Sequence, residues 1–428
     1  MVSADNLNFD CLELIVSYLA GPDLYSVTHV SRSFLTAALP LLYRTLSFNL
    51  GNGKRYPKVM SAFDTVKLHP GLAVHVHHID IRMVPMVPMS IKMYPQFLSS
   101  LIQTLERCVN LKSLTCTPKD ALPPLLAALD SLTSLEKIRI NAHLTADQGN
   151  SLLSLKKLKS ISLDGASWNV VDILPQWTLN LNTLLTCLTF STVQELNEPV
   201  LRSILQNLPN LRGLHVVACP KIEHVTILQS LVHTPRLESL SFTAWDTRTI
   251  PHDMSPLPHL RHLAIDSNMG SPPVGDDGFD RSPQIWHFML AKTRAWSCPL
   301  SSIMLKISDK ITIPSSLVNE LLDGHAGTLT SITLISCEFD MVSLRSVALR
   351  CTDLEKFAVR VPTRDIDVFA DSLSYSHSLR LLHDVTETHV THGAPFLNTS
   401  NVRILMELIS SLTKVISYGR TWTVSFLF

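Results

Sequence analysis

The phrase Leu211-Arg-Gly-Leu214-His-Val216-Val-Ala-Cys219 decides how this chain folds. It reads L-x-x-L-x-L-x-x-C: three apolar side chains in fixed phase, then a small residue that tolerates burial. Leu237-Glu-Ser-Leu240-Ser-Phe242 and Leu260-Arg-His-Leu263-Ala-Ile265-Asp-Ser-Asn268 follow the same phase. With the first leucine as anchor, copies start at Leu111, Leu135, Leu158, Leu185, Leu211, Leu237, Leu260, Leu300, Leu329 and Leu354. The intervals are 24, 23, 27, 26, 26, 23, 40, 29 and 25 residues. Regular spacing of this kind marks units that cannot bury their apolar face alone and do so by stacking on their neighbours. The longest interval carries an insertion.

The repeated phrase resembles the core of a leucine-rich repeat, in which Asn or Cys takes the ninth place. Between the phrases, Tyr94 to Cys108, Leu122 to Leu132, Leu152 to Leu158, Pro199 to Leu208, Ser315 to Leu322 and Met341 to Leu349 carry helical periodicity. Short parallel strands on one side and returning helices on the other predict an α/β solenoid, a leucine-rich-repeat horseshoe. Strand alternation sends the consensus leucines inward and the residues between them outward. The outward row is Thr115, Arg139, Ser162, Thr189, His215, Ser241, Ala264, Met304, Thr333 and Ala358, flanked by Asn141, Asp164, Asp266, Lys306 and Arg360. Of these, Arg139, Thr189, His215, Ser241, Met304 and Thr333 are the candidate contacts for a protein target.

Residues 7 to 46 do not fit the repeat. Leu12, Ile15, Tyr18 and Leu19 give helical spacing after Asp10, Gly21-Pro22 breaks the chain, and Asp23 can cap a second helix through Leu24, Val27 and Val30. A third apolar segment runs from Phe34 to about Leu39. Three short helices in about forty residues make a marginal core alone, so a partner is expected to complete it. Leu7, Ser17-Tyr18-Leu19, Asp23-Leu24, Val30-Ser31-Arg32, Phe34 and Leu42-Tyr43-Arg44-Thr45-Leu46, in that order, resemble an F-box. Asn8 stands where that family carries Pro, and Phe34 and Tyr43 where it often carries Trp. The resemblance implies docking onto a Skp-family adaptor, and through it a cullin, by Leu7, Phe9, Leu12, Ile15, Leu19, Leu24, Val30 and Phe34. A plain helical cap over the first repeat is the alternative, since solenoid ends need covering.

Basic and acidic residues balance at 36 each in 428 residues, so no overall basic field points to nucleic acid, although a local patch can survive such an average. No signal-type or membrane-spanning apolar run is visible, and the eight cysteines form no tight C-x-x-C pair. Cys219 and Cys337 fill the ninth position, while Cys108 and Cys351 precede an anchor leucine by three, as small buried residues in a reducing compartment would. An intracellular protein, cytoplasmic or nuclear, with no membrane or nucleic-acid partner is expected. His75, His77 and His78 lack a Cys or carboxylate cluster, and the Asp276-Asp277-Gly278-Phe279-Asp280 stretch lacks calcium-loop spacing, so no metal or cofactor is expected. Enzyme motifs are missing, and Cys187 and Cys298 are weak candidates for a nucleophile.

The expected order is an F-box at 1–48, a linker at 49–73, repeats at 74–398 with an insertion at about 268–298, and a helical cap and tail at 399–428. The predicted function is the substrate-recognition subunit of a cullin–RING (SCF-type) E3 ubiquitin ligase, itself not an enzyme. A non-catalytic leucine-rich scaffold without a ubiquitin role is the second reading, and an enzyme hidden in a divergent repeat the third.

Overall fold

The computed structural model describes residues 7–87, 92–246, 249–267, 283–385 and 397–423. The Asp-rich part of the insertion and the apolar residues Phe426, Leu427 and Phe428 lie outside them. The chain forms two compact units, Met1–Leu196 and Asn197–Phe428.

The first unit opens with three helices: α1 Phe9–Ser17, α2 Gly21–Val27 and α3 Arg32–Leu42. Pro22 sits in the first turn of α2, where no N–H is needed, and the Ser31 hydroxyl accepts from the Phe34 N–H to cap α3. Six strands follow: β1 Thr45–Phe48, β2 His78–Ile81, β3 Ser113–Cys116, β4 Lys137–Asn141, β5 Ser160–Asp164 and β6 Cys187–Ser191. They pair in sequence order and all in parallel. The carbonyl before each of the first five strands accepts two N–H groups from the next rung: Arg44 from His77 and His78, His77 from Lys112 and Ser113, Lys112 from Glu136 and Lys137, Glu136 from Lys159 and Ser160, Lys159 from Thr186 and Cys187. This bifurcated stitch fixes one register through the unit.

The second unit continues with β7 Gly213–Val217, β8 Ser239–Ala244, β9 His262–Ser267, β10 Ser302–Ile313, β11 Ser331–Phe339, β12 Lys356–Val359, β13 Leu381–Asp384, β14 Lys414–Ser417 and β15 Arg420–Thr423. All pairs are parallel except β14–β15, an antiparallel hairpin. Helices join the strands; one of them, Gln284–Ala295, closes the insertion.

The anchor leucines are buried, as the phase requires. Leu135, Ile138 and Ile140 line one rung of the first unit, and Leu237, Leu240 and Phe242 one rung of the second. The array extends past both ends of the expected 74–398 repeat. Leu46 and Phe48 of β1 and Leu412 and Val415 of β14 are buried like any other rung, as are Ile79 and Ile81 of β2 and Leu379 and Leu382 of β13 within it. Thus Thr45–Phe48, expected inside the helical module, is a strand, and the expected helical cap holds a helix, Thr399–Leu408, and then two strands. The segment 49–73 carries the helix Ala62–Leu68, with Ser61 and Asp64 in a reciprocal capping box and Phe63 and Val66 buried. His75 ends a 3-10 turn, Pro70–His75, ahead of β2.

Candidate functional site

Inside the three-helix module, Leu12, Val16, Leu24, Ala37 and Ala38 form the core, with Leu19, Val27, Phe34, Leu41 and Leu42 packed against it. Leu12, Val16 and Leu19 therefore occupy one face of α1 and its continuation. On a helix of about 3.6 residues per turn, positions i, i+3, i+4 and i+7 form a face of their own. In α1 a second face of this spacing is Cys11, Leu14, Ile15 and Tyr18, roughly a third of a turn around from the core face and exposed throughout, Leu14 by 60% and Tyr18 by 81%. Asp10, Glu13 and Ser17 take the polar side away from the core, next to that face. Helix α1 is thus apolar on two faces, and its own module covers one. Burying a Leu or Ile side chain stabilises by about 1.5–3 kcal/mol, so the second face is a large unspent source of binding free energy.

The expected adaptor contacts divide accordingly. Leu12 and Leu24 are interior and hold the module together, so they present nothing to a partner. Leu19 and Phe34 are half-buried against the same core. Leu7, Phe9, Ile15 and Val30 are exposed. Cys11, Leu14 and Tyr18, with Tyr25 and Leu35 exposed on α2 and α3, were not singled out from the sequence. An i, i+3, i+4, i+7 reading of α1 yields two such faces, and only the packing tells which is covered.

The strand faces follow the predicted rows. In the first unit, Ser47, Asp80, Thr115, Arg139, Ser162 and Thr189 are in register. Asp80 accepts from Arg82 Nε at 3.0 Å, and Asp164 accepts from Arg139 Nε at 3.0 Å. In the second unit, His215, Ser241, Ala264, Met304, Thr333, Ala358, His383 and Ile416 are in register. His215 Nδ1 lies 2.7 Å from Ser241 Oγ. Burial, helped by His262, holds the His215 pKa below its ordinary value, so the ring is neutral at pH 7. Lys306 and Asp266 pair at 3.0 Å on the flanking row. The candidate target contacts therefore fall into two sets: Arg139 and Thr189 on one unit, His215, Ser241, Met304 and Thr333 on the other.

A cavity of about 700 Å³ lies in the second unit where the sheet opens. The β11–β12 ladder stops at Thr333 and Ala358, whereas β10–β11 continues to Ile313 and Phe339. Phe339, Leu344, Val359 and Phe369 line it beside Arg360, Arg364, Glu338 and Asp365, with Arg360 and Glu338 3.9 Å apart. Its charges are mixed in sign and select no ligand.

Cys298 is buried with its thiol pushed up to about 11 by desolvation, the opposite of an activated nucleophile. Cys108, Cys116 and Cys337 are pushed up to about 12 and Cys351 to about 11 for the same reason. Cys187 is half-buried on the outer face of β6. Among the described residues no group of three or more His, Cys, Asp or Glu side chains is placed to hold a metal ion, and no helix is long and apolar enough to cross a membrane.

No family model matches the chain. Among solved structures, a chain of the crystal structure of the Rad7 and Elc1 complex in yeast aligns over 90% of this chain and 90% of that one, at 18% identity and a TM-score of 0.49. A chain of the crystal structure of the TLR13–ssRNA13 complex aligns over 81% of this chain and 54% of that one, at 15% identity and a TM-score of 0.35. Both scores are too low to carry an assignment. The leucine-rich-repeat solenoid rests on the parallel ladder and its buried anchors.

Proposed function

We propose that the chain is the substrate-recognition subunit of a cullin–RING (SCF-type) E3 ubiquitin ligase. Helices α1–α3 dock a Skp-family adaptor, which links to a cullin, and the strand faces hold a protein target. The observation that carries this reading is the uncovered face of α1, Cys11, Leu14, Ile15 and Tyr18; Phe9 and Val30 of the same module are exposed as well. An apolar helix face of this kind is the complement of a groove on a helical partner. The chain would make no bond itself; it raises the effective concentration of target at the transferase.

Co-expression with a Skp-family adaptor followed by size-exclusion chromatography tests the proposal. A one-to-one complex is expected, and Leu14→Asp with Ile15→Asp abolishes it while the thermal melt of the chain stays unchanged. Separate elution of two folded proteins overturns the ligase reading.

A repeat scaffold without a ubiquitin role is the second reading. It is favoured by the packing of α3 on the 3-10 turn Pro70–His75 and by the passage from α3 directly into β1, as in a solenoid cap. A cap gives no reason for a second apolar face on α1, so tolerance of Leu14→Asp with Ile15→Asp by every partner would favour it.

A further inference from the structure

We infer that the strand-entry edge of the first unit is a docking strip for an acidic, extended peptide segment. The strip concerns the target half of the function proposed above and stands whether or not an adaptor binds. It is built by the carbonyl stitch, which sets Arg44, His77, Lys112, Glu136 and Lys159 on consecutive rungs, with His78 and Lys137 one residue further along β2 and β4. Arg44, Lys112, Lys137 and Lys159 are exposed, and Glu136 is the carboxylate among them. Glu136 bonds to Lys159 at 2.8 Å, while the side chains of Arg44, Lys112 and Lys137 have no hydrogen-bond or ion-pair partner among the described residues. Three cations are left over on one short edge.

The neighbouring imidazoles register the same imbalance. Desolvation first, then Lys112 and Arg44, hold the His77 pKa below its ordinary value. His78 is held down by desolvation, then by Arg44, His77, Lys137 and Lys112. The charged groups acting on these two rings are all basic. A neutral chain total thus conceals a local field of one sign.

Three features fit a peptide better than a nucleic acid. Three unpaired cations match a few carboxylates, whereas tight nucleic-acid binding neutralises roughly 6–10 phosphates. The strip also offers no Phe, Tyr or Trp on which bases could stack. Its spacing suits an extended chain: Arg44 and Lys112 are two strands apart, about 9.5 Å, and three residues of extended peptide span about 10 Å. Acidic residues at every third position would meet successive cations.

The test is fluorescence anisotropy of the full chain with a labelled peptide carrying Glu at every third position in a Gly/Ser background. Salt-sensitive binding is expected, weakened at least about tenfold by Lys112→Glu with Lys137→Glu, a change of about 1.4 kcal/mol. Lys356→Glu on the second unit leaves it unchanged, and the Lys112/Lys137 variant still binds adaptor, which separates failure here from failure of the ligase reading. If that variant does not fold, Lys112→Gln, with an unaltered melt, must still weaken the peptide. The inference is overturned by absence of peptide binding to the native chain, by equal binding to the charge-altered variants, or by tighter binding of a single-stranded RNA of equal charge.

Discussion

In the first unit the strand-entry edge runs Arg44, His77, Lys112, Glu136, Lys159; in the second it runs Arg212, Glu238, Arg261, Ser301, Thr330, Glu355, Arg380. The second edge alternates in sign or is neutral, and Arg212 pairs with Glu238 at 3.3 Å. The first is one-signed over its opening rungs. The outer rows differ too: Asp80 and Arg139 carry charges in the first unit, while Ala264, Met304, Thr333 and Ala358 stand side by side in the second. Beneath both, from β2 to β12, lies the same triplet of buried apolar residues per rung. Interior and face are therefore separable: stacking constrains every inward position and leaves every outward one free to specialise. Two different partner chemistries are open to one repeat.

The largest expected effect tests the shared interior. Leu163→Ala in the first unit and Leu240→Ala in the second each empty a fully buried rung position and should each destabilise by about 2–5 kcal/mol in denaturant unfolding. A cost in one unit alone would break the comparison.

Acid should act on the second unit through its interior. His325 is buried with its Nε2 on Thr293 Oγ1 at 2.9 Å and its Nδ1 unpaired. Desolvation, aided by Arg294, outweighs the raising effect of the Cys298 backbone carbonyl and holds its pKa down. The unfolded chain then binds more protons than the folded one, so stability is complete above the ordinary pKa of about 6.5 and is lost as pH falls below it. His325→Gln should flatten that part of the stability profile; an unchanged profile would remove His325 from the account.

A finer test addresses the strip. Lys112→Gln should raise the pKa of both His77 and His78 in an NMR titration, whereas Lys137→Gln should raise His78 chiefly. Equal shifts in the second variant would contradict the placement of Lys137 beside His78. The smallest effect concerns the surface pairs. Breaking Arg139–Asp164 or Lys306–Asp266 by Arg139→Ala or Lys306→Ala should cost no more than about 1 kcal/mol, since Arg139 is exposed and Lys306 half-exposed.

Much of this was legible in the residues. Ten anchor leucines fixed the period, and strand alternation ordered the outer rows correctly because the parallel register holds through those positions; the shift between Lys306 and Ile311 of β10 comes after Met304. The ends were not legible. In β1 the anchor position falls on Tyr43, and in β13 and β14 the third inward position is polar: Asp384 and Ser417, both buried. Ser417 Oγ donates to Asp384 Oδ2 at 2.7 Å, and Asp384 Oδ1 accepts from the Val361 N–H at 3.2 Å. A hydrogen-bonded pair thus replaces two apolar residues, weakening the pattern at β13 and hiding the rung at β14. Leu12 and Leu24 were assigned to a partner for the complementary reason: α1 is apolar on two sides, and only α2 and α3 decide which is inside.

The cysteines give the most direct test of the docking claim. Cys11 is the exposed one and lies on the open face of α1; Cys187 is half-buried on the outer face of β6; the other six are buried. Maleimide labelling of the folded chain, read by mass spectrometry with and without a Skp-family adaptor, reports each surface separately. The account predicts that the adaptor slows labelling of Cys11 by at least about tenfold while Cys187 reacts at its former rate. Unaltered labelling of Cys11 at saturating adaptor would contradict it.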